Sequence, residues 1–217
     1  METGLKAGSL DELRLVGGNR ALDFLNTLSG PRGSFDTEWL STHDDFGAWC
    51  RVVPELAALE PRRVVAGEAV AALARVHAFR DVLYDVVTAI VDGNTPGDAD
   101  LQRLQLTYVD AIARGLPVFG ADGLQWRWRT DRDPLAPLWA IAVEAVELLS
   151  HGPIDRLKAC GGCPFLFIDQ SKNGSRLLCS IDECGTSMKS ARYVERRARA
   201  RRQLSDPGRC EDQLRAA

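Results

Sequence analysis

Residues 159–185 read ACGGCPFLFIDQSKNGSRLLCSIDECG, and their four cysteines decide how the C-terminal part of the chain is built. The spacing is Cys160-x2-Cys163, fifteen residues, then Cys179-x4-Cys184. A two-residue gap lets two sulfurs reach one ion from a tight knuckle, and glycines at 161 and 162 ease its turn. Tetrahedral zinc takes four thiolates in closed structural sites at spacings of this kind. Cys160, Cys163, Cys179 and Cys184 are therefore the predicted ligands of a Zn2+ ion. The competing reading is a set of ordinary buried thiols, to which Cys50 and Cys210 are assigned unless they are exposed. A thioredoxin-like redox pair at 160 and 163 would need a βαβ pattern around it, and none is present.

Catalytic zinc keeps one position open for water, whereas four soft ligands close the shell. His151 lies nine residues upstream of Cys160, beyond Pro153, while His43 and His77 fall in separate helical patterns with no His-Glu-x-x-His spacing. The site reads as structural. An ion there would supply on the order of 10 kcal/mol to a segment too short to fold alone.

Directly after Cys184 comes GTSMKSARYVERRARARRQL (185–204). Thr186 or Ser187 can cap a helix, and no proline or further glycine interrupts the run before Pro207. At the helical step, Lys189, Arg192, Arg196 and Arg199 fall within an arc of about 80°, with Tyr193 adjoining. Ala191, Val194 and Ala198 gather on the opposite side, a small apolar face suited to docking. Between 186 and 202 there are seven basic residues and one acid, Glu195, with Arg197 widening the field. Basic residues often form a solvated helix face, and Lys158, Lys172 and Arg176 could offset a four-thiolate zinc site. The excess in this helix goes beyond either need. DNA is the predicted partner, through Lys189, Arg192, Tyr193, Arg196, Arg197 and Arg199. A protein-interaction module with structural zinc and no DNA binding is the alternative.

The charge balance separates this end from the rest. Residues 151–217 hold 13 Lys+Arg against 8 Asp+Glu, and residues 1–150 hold 14 against 22, so a net +5 segment follows a net −8 body. His151-Gly152-Pro153 breaks the pattern where the sign reverses, which places the expected boundary between a body at 1–152 and a finger at 153–217. With 45% hydrophobic residues the body can bury a real core. No apolar run is long enough to span a membrane, and the opening METGLKAGSLDEL lacks a signal-peptide core, so a cytoplasmic, membrane-free protein is expected.

Within the body, LRLVGG (13–18) suggests a short strand. ALDFLNTL (21–28) sets Leu22, Leu25 and Leu28 at helical spacing beside Phe24. A brief strand at 38–40 precedes a helix through HDDFGAWCRV (43–52), capped by Ser41 or Thr42. Apolar residues recurring from Val65 to Ile90 predict a long helix over 61–92 that starts at Pro61. Asp98 caps a helix reaching Arg114. Residues 116–130 predict a hairpin in which Leu124, Trp126 and Trp128 alternate inward, and PLWAIAVEAVELLS (137–150) closes the body. The fold class is α+β: a mostly helical N-terminal domain with a small antiparallel sheet, then a four-cysteine zinc finger ending in a basic helix.

The finger residues CPFLFIDQSKNGSRLLCSIDECG, followed by Lys189, Arg192 and Tyr193, resemble the CGNR zinc finger. GGNRALDFLNTL (17–28) resembles the opening of the ABATE domain, which usually precedes that finger. The resemblance implies a stress-induced transcription regulator whose finger binds DNA and whose N-terminal domain takes a small-molecule ligand. It also implies zinc on the four cysteines and a DNA role for Lys189, Arg192 and Tyr193. The naming motif Cys-Gly-Asn-Arg stands here as Cys184-Gly185-Thr186-Ser187, so the family's arginine charge is missing.

Candidate ligand-binding residues in the body are Arg20, Asp23, Asn26 and Thr27, which share the opening helix at three- and four-residue spacing. Capping helices or tying buried backbone is the competing role for them. Trp126 and Trp128 are assigned to the core before a cavity. Glu144 and Glu147, at i and i+3, lack a companion Glu-x-x-His and are expected to face solvent. No nucleophile elbow, phosphate loop or dinucleotide fingerprint is present, and no enzymatic activity is expected.

Overall fold

The structure, a computed structural model, describes residues 5–59, 61, 64–121, 123–186, 189–190, 193–194 and 196–197. The chain divides into two compact units, Met1–Cys179 and Ser180–Ala217. The first unit is α+β and mostly helical. Its elements run β1 (Lys6–Ala7), α1 (Arg20–Leu25), β2 (Leu28–Ser29), β3 (Thr37–Glu38), α2 (His43–Val52), α3 (Ala66–Val91), α4 (Asp98–Arg114), β4 (Leu116–Gly120), β5 (Gly123–Arg127), α5 (Ala136–His151), β6 (Leu157–Ala159) and β7 (Leu166–Ile168).

Helix α1 has only six residues but occupies the middle of the core. Every residue from Ala21 to Leu25 is buried, and Asn19 caps the helix by accepting the Ala21 N–H at 2.9 Å. So short a helix has little stability of its own and is held by packing. Phe24 stacks on Phe79 of α3 at 6.1 Å between ring centroids and tilts against Trp49 of α2 at 5.8 Å. Leu28, expected to extend this helix, lies instead in β2, because the chain leaves the helix at Asn26.

Thr42 caps α2 in a reciprocal box with Asp45: the Asp45 N–H donates to Thr42 Oγ1 at 3.1 Å, and the Thr42 N–H donates to Asp45 Oδ2 at 2.8 Å. Helix α3 buries Ala72, Val76, Phe79, Leu83 and Val86 on its expected stripe. It begins at Ala66 rather than Pro61, and Val65 at its cap position is 75% exposed. Asp98 opens α4 as its first residue, with Gly97 in the cap position.

Two strand expectations change. LRLVGG forms no strand; its backbone turns at Gly17 and Gly18. The hairpin pairs Leu116 with Arg127 and Val118 with Gln125, yet Leu124 is 61% exposed, since a two-stranded ribbon covers little on either face. Trp126 is half-buried, and Trp128, just beyond the strand, is buried with its Nε1–H donated to the Ala111 carbonyl at 2.8 Å. The three-stranded sheet is mixed: β3 pairs with β2 antiparallel and with β1 parallel.

A buried charge pair holds that sheet to α3. Arg80 is 3% exposed and donates to both oxygens of Glu38, with Nη1 at 2.8 Å from Oε1, and also to Thr27 Oγ1 at 2.9 Å. Glu38 Oε1 accepts the Leu40 N–H as well. These extra hydrogen bonds offset much of the cost of burying the pair, although the buried Arg80 Nε has no hydrogen-bond partner among the described residues.

The β6–β7 hairpin follows α5 and packs into the same core through Leu157, Leu166 and Ile168. Its backbone is stitched to the start of the chain: the Ile168 N–H donates to the Gly17 carbonyl at 2.9 Å. A side chain at position 17 would clash, because an added Cβ would sit 2.8 Å from the Asp23 nitrogen. Gly18 follows at φ +73°, a conformation glycine adopts freely.

Candidate metal centre

The knuckle is built by the hairpin's own hydrogen bonds. The Cys160 N–H donates to the Phe165 carbonyl at 2.8 Å, which closes the loop carrying Cys163. The N–H groups of Gly162 and Cys179 both point at Cys160 Sγ, at 3.3 and 3.2 Å. Arg32 and Tyr84 brace the loop from outside by donating to the carbonyls of Gly161 and Pro164, at 3.2 and 3.1 Å.

Cys179 is brought back by a loop organised around one buried carboxylate. Asp169 is fully buried and accepts the N–H groups of Ser171 at 2.9 Å and Arg176 at 2.8 Å, together with Lys158 Nζ at 2.7 Å. The Lys158 ammonium, and after it the bond from Ser171, hold this carboxyl below the usual carboxylate range. Lys158 also donates to the Gly174 and Arg176 carbonyls. Arg176 lies 4.8 Å over the Phe167 ring and donates to the Leu178 carbonyl at 2.7 Å and to that of Cys179. These two cations are thus engaged in shaping the loop.

The sulfurs of Cys160, Cys163, Cys179 and Cys184 all lie within 4.8 Å of one another, with Cys163 and Cys179 at 3.5 Å. A tetrahedron with metal–sulfur bonds of about 2.3 Å has sulfur–sulfur edges of about 3.8 Å, so the cluster has the size of a four-thiolate shell. The thiols also oppose one another's ionisation. Cys163 and Cys179 donate to Cys160, which pushes the Cys160 thiol far down, lifts Cys163 to about 12 and drives Cys179 up. The Cys160 thiolate forms readily, while Cys163 and Cys179 resist. A divalent cation removes that resistance, so the donor set fits a metal of the zinc type.

In the second unit a helical turn at Ile181–Gly185 carries Cys184, and Ser180 caps it by accepting the Glu183 N–H at 3.4 Å. The cap therefore sits upstream of the two expected candidates: Thr186 is itself helical, and Ser187 lies outside the described residues. Ser-x-x-Glu at 180–183 was the available signal. Positions 189, 193, 196 and 197 are helical and exposed, and Arg197 lies 5.7 Å from the Tyr193 ring centre. Arg192 and Arg199 lie outside the described residues.

In the body, Arg20 and Asp23 line a hollow of about 340 Å³ with Asn19, Glu55 and Glu144. Glu144 does not face solvent as expected. It pairs with Arg20 and accepts Asn19 Nδ2–H at 2.9 Å, because α1 packs on α5 at that turn. Asp23 accepts the Gly17 N–H at 2.8 Å; burial pushes its carboxyl up to about 6, with Glu55 and Glu144 adding repulsion against the backbone bonds that favour the charge. Asn26 and Thr27 point elsewhere. Asn26 exchanges two hydrogen bonds with the Leu166 backbone, at 2.9 and 3.0 Å, and the Thr27 hydroxyl donates to the Phe24 carbonyl while accepting from Arg80. A second hollow of about 570 Å³ shares Arg20, Glu55 and Glu144 and is walled by Trp126 and Trp128.

The ABATE family model ("putative stress-induced transcription regulator") matches residues 18–152, most of the chain. The chain belongs to the ABATE family. The CGNR zinc-finger model matches residues 156–197, so the two regions follow in the order that the resemblance implies. No curated protein matches the sequence. The finger match spans both the β6–β7 hairpin, which is part of the ABATE region's core, and the cysteine-bearing turn of the second unit. Among the described residues no helix is long and apolar enough to cross a membrane.

Proposed function

We propose that this ABATE-family chain is a cytoplasmic, DNA-binding transcription regulator whose finger is ordered by zinc and whose body takes a small molecule without turning it over. The observation that carries the reading is the four-cysteine cluster leading directly into a helix with exposed Lys189, Arg196 and Arg197. Cys160, Cys163, Cys179 and Cys184 would hold the ion, which supplies folding free energy and no vacancy for chemistry. The cations at 189–199 then meet phosphates as a group.

A path between the two tasks supports regulation. Asp23 lines the hollow beside α1 and holds the Gly17 N–H, while the Gly17 carbonyl accepts the Ile168 N–H of β7, the strand that follows the knuckle. At the other end of α1, Asn26 grips Leu166 of the same strand. A ligand that shifts α1 has two direct bonds into the metal-bearing hairpin.

A DNA titration across salt tests the reading. Engagement of four to six phosphates gives a slope of about −4 to −5 in log K against log salt, and Arg196→Ala lowers it by about 1. A flat dependence, or unchanged binding by an Arg192→Ala/Arg196→Ala variant, overturns it in favour of a protein-interaction module.

A further inference from the structure

We infer that the larger hollow beside α1 takes an organic cation with a flat apolar body, an inference that rests on the ligand-taking role of the body proposed above. The hollow is about 570 Å³, a size that holds a small organic molecule. Trp126 and Trp128 bring indole surfaces from the hairpin, and Val143 and Leu59 continue the apolar wall. Indole faces attract cations and stack on flat rings.

The charged groups select the sign. Glu55, Glu144 and Glu147 line the hollow, and Arg20, the cation among its lining residues, is already paired with Glu144. Glu55 and Glu147 are exposed at the rim. The hollow therefore has a net charge of about −2, within a region whose residues 1–150 carry −8, so it concentrates cations and repels anions. Their repulsion reaches Asp23, where Glu55 and Glu144 both disfavour a further negative charge.

A metal ion does not fit this arrangement. Among the described residues, only the four cysteines converge closely enough to ligate one ion; the carboxylates of the hollow do not. Negative charge spread around an aromatic-walled space suits an extended molecule that carries its positive charge beside a ring.

Calorimetric titration of the zinc-loaded full chain with tryptamine and indole-3-acetate tests the proposal, because the two share a ring and differ in the sign of their charge. Tryptamine is expected to bind at least tenfold more tightly, and spermidine, which has no flat body, more weakly than tryptamine. Glu55→Gln/Glu147→Gln, at exposed positions, is expected to cut tryptamine affinity about fivefold, and Trp126→Leu to remove its advantage over spermidine. Absent tryptamine binding, equal or tighter binding of indole-3-acetate, or a double glutamine variant that binds tryptamine unchanged overturns the inference. The same titrations with DNA present separate this from the reading it rests on. Cleft-bound tryptamine that leaves DNA affinity unchanged upholds the ligand class and overturns the sensory role. Indole-3-acetate that binds in its place and alters DNA affinity does the reverse.

Discussion

Replacing Asn26 with alanine should separate the β6–β7 hairpin from the rest of its core. Asn26 and Leu166 are each 1% exposed, and the side-chain amide serves both the N–H and the C=O of Leu166. Alanine offers neither a donor nor an acceptor, and water cannot reach the site to substitute. Each stranded backbone group costs about 1–3 kcal/mol, so Asn26→Ala should lose about 4 kcal/mol. That is a large share of the ~5–15 kcal/mol that holds a typical domain together. Urea unfolding of the metal-loaded chain reads the loss, and hydrogen exchange at the Leu166 amide localises it. Asn26→Asp refines the test. Its carboxylate can accept the Leu166 N–H but opposes the Leu166 carbonyl, whereas the protonated acid satisfies both. Its folded pKa is therefore raised above the ordinary value of about 3.9, and its stabilising contribution is complete below that value and lost as pH rises through the folded pKa. The deficit of Asn26→Asp should accordingly shrink between pH 7 and pH 4. A loss below about 1 kcal/mol for Asn26→Ala, with Leu166 exchange unchanged, would refute the reasoning.

Two further outcomes are expected. Purified protein should contain about one zinc per chain, with Cys160→Ser losing most of it and Cys50→Ser retaining it; full retention by Cys160→Ser in metal analysis would reject the four-thiolate shell. Asp23 titrates near 6 in the fold against 3.8 ordinarily, so the fold binds the extra proton between those values: its contribution is complete below about 3.8 and is lost as pH rises through about 6. This amounts to about 3 kcal/mol, and Asp23→Asn should flatten that part of the pH–stability profile in chemical denaturation.

Much of the molecule was legible because local rules carry it. Thr42 with Asp45, the stripe from Ala72 to Val86 and the Cys-x2-Cys knuckle depend on residues within a few positions of one another. The errors share a cause. Leu28 fits a helical pattern but leaves the helix because Asn26 and Thr27 bond to groups brought from residues 80 and 166. Glu144 looks like a surface residue until α1 places Arg20 and Asn19 against it. Asp169 gives no sign in DQS that it will be fully buried with Lys158 and two backbone N–H groups.

The sequence by itself determined the cysteine spacing, the Thr42 cap, the acidic body and the basic run after Cys184, because spacing, periodicity and charge are properties of neighbouring residues. Only the tertiary structure decided that the finger's first hairpin belongs to the core of the ABATE region. It also decided that Arg20, Asp23 and two tryptophans gather at hollows beside α1 while Asn26 and Thr27 do not. Those outcomes rest on partners up to 140 positions apart, and burial makes each buried polar group choose one of them.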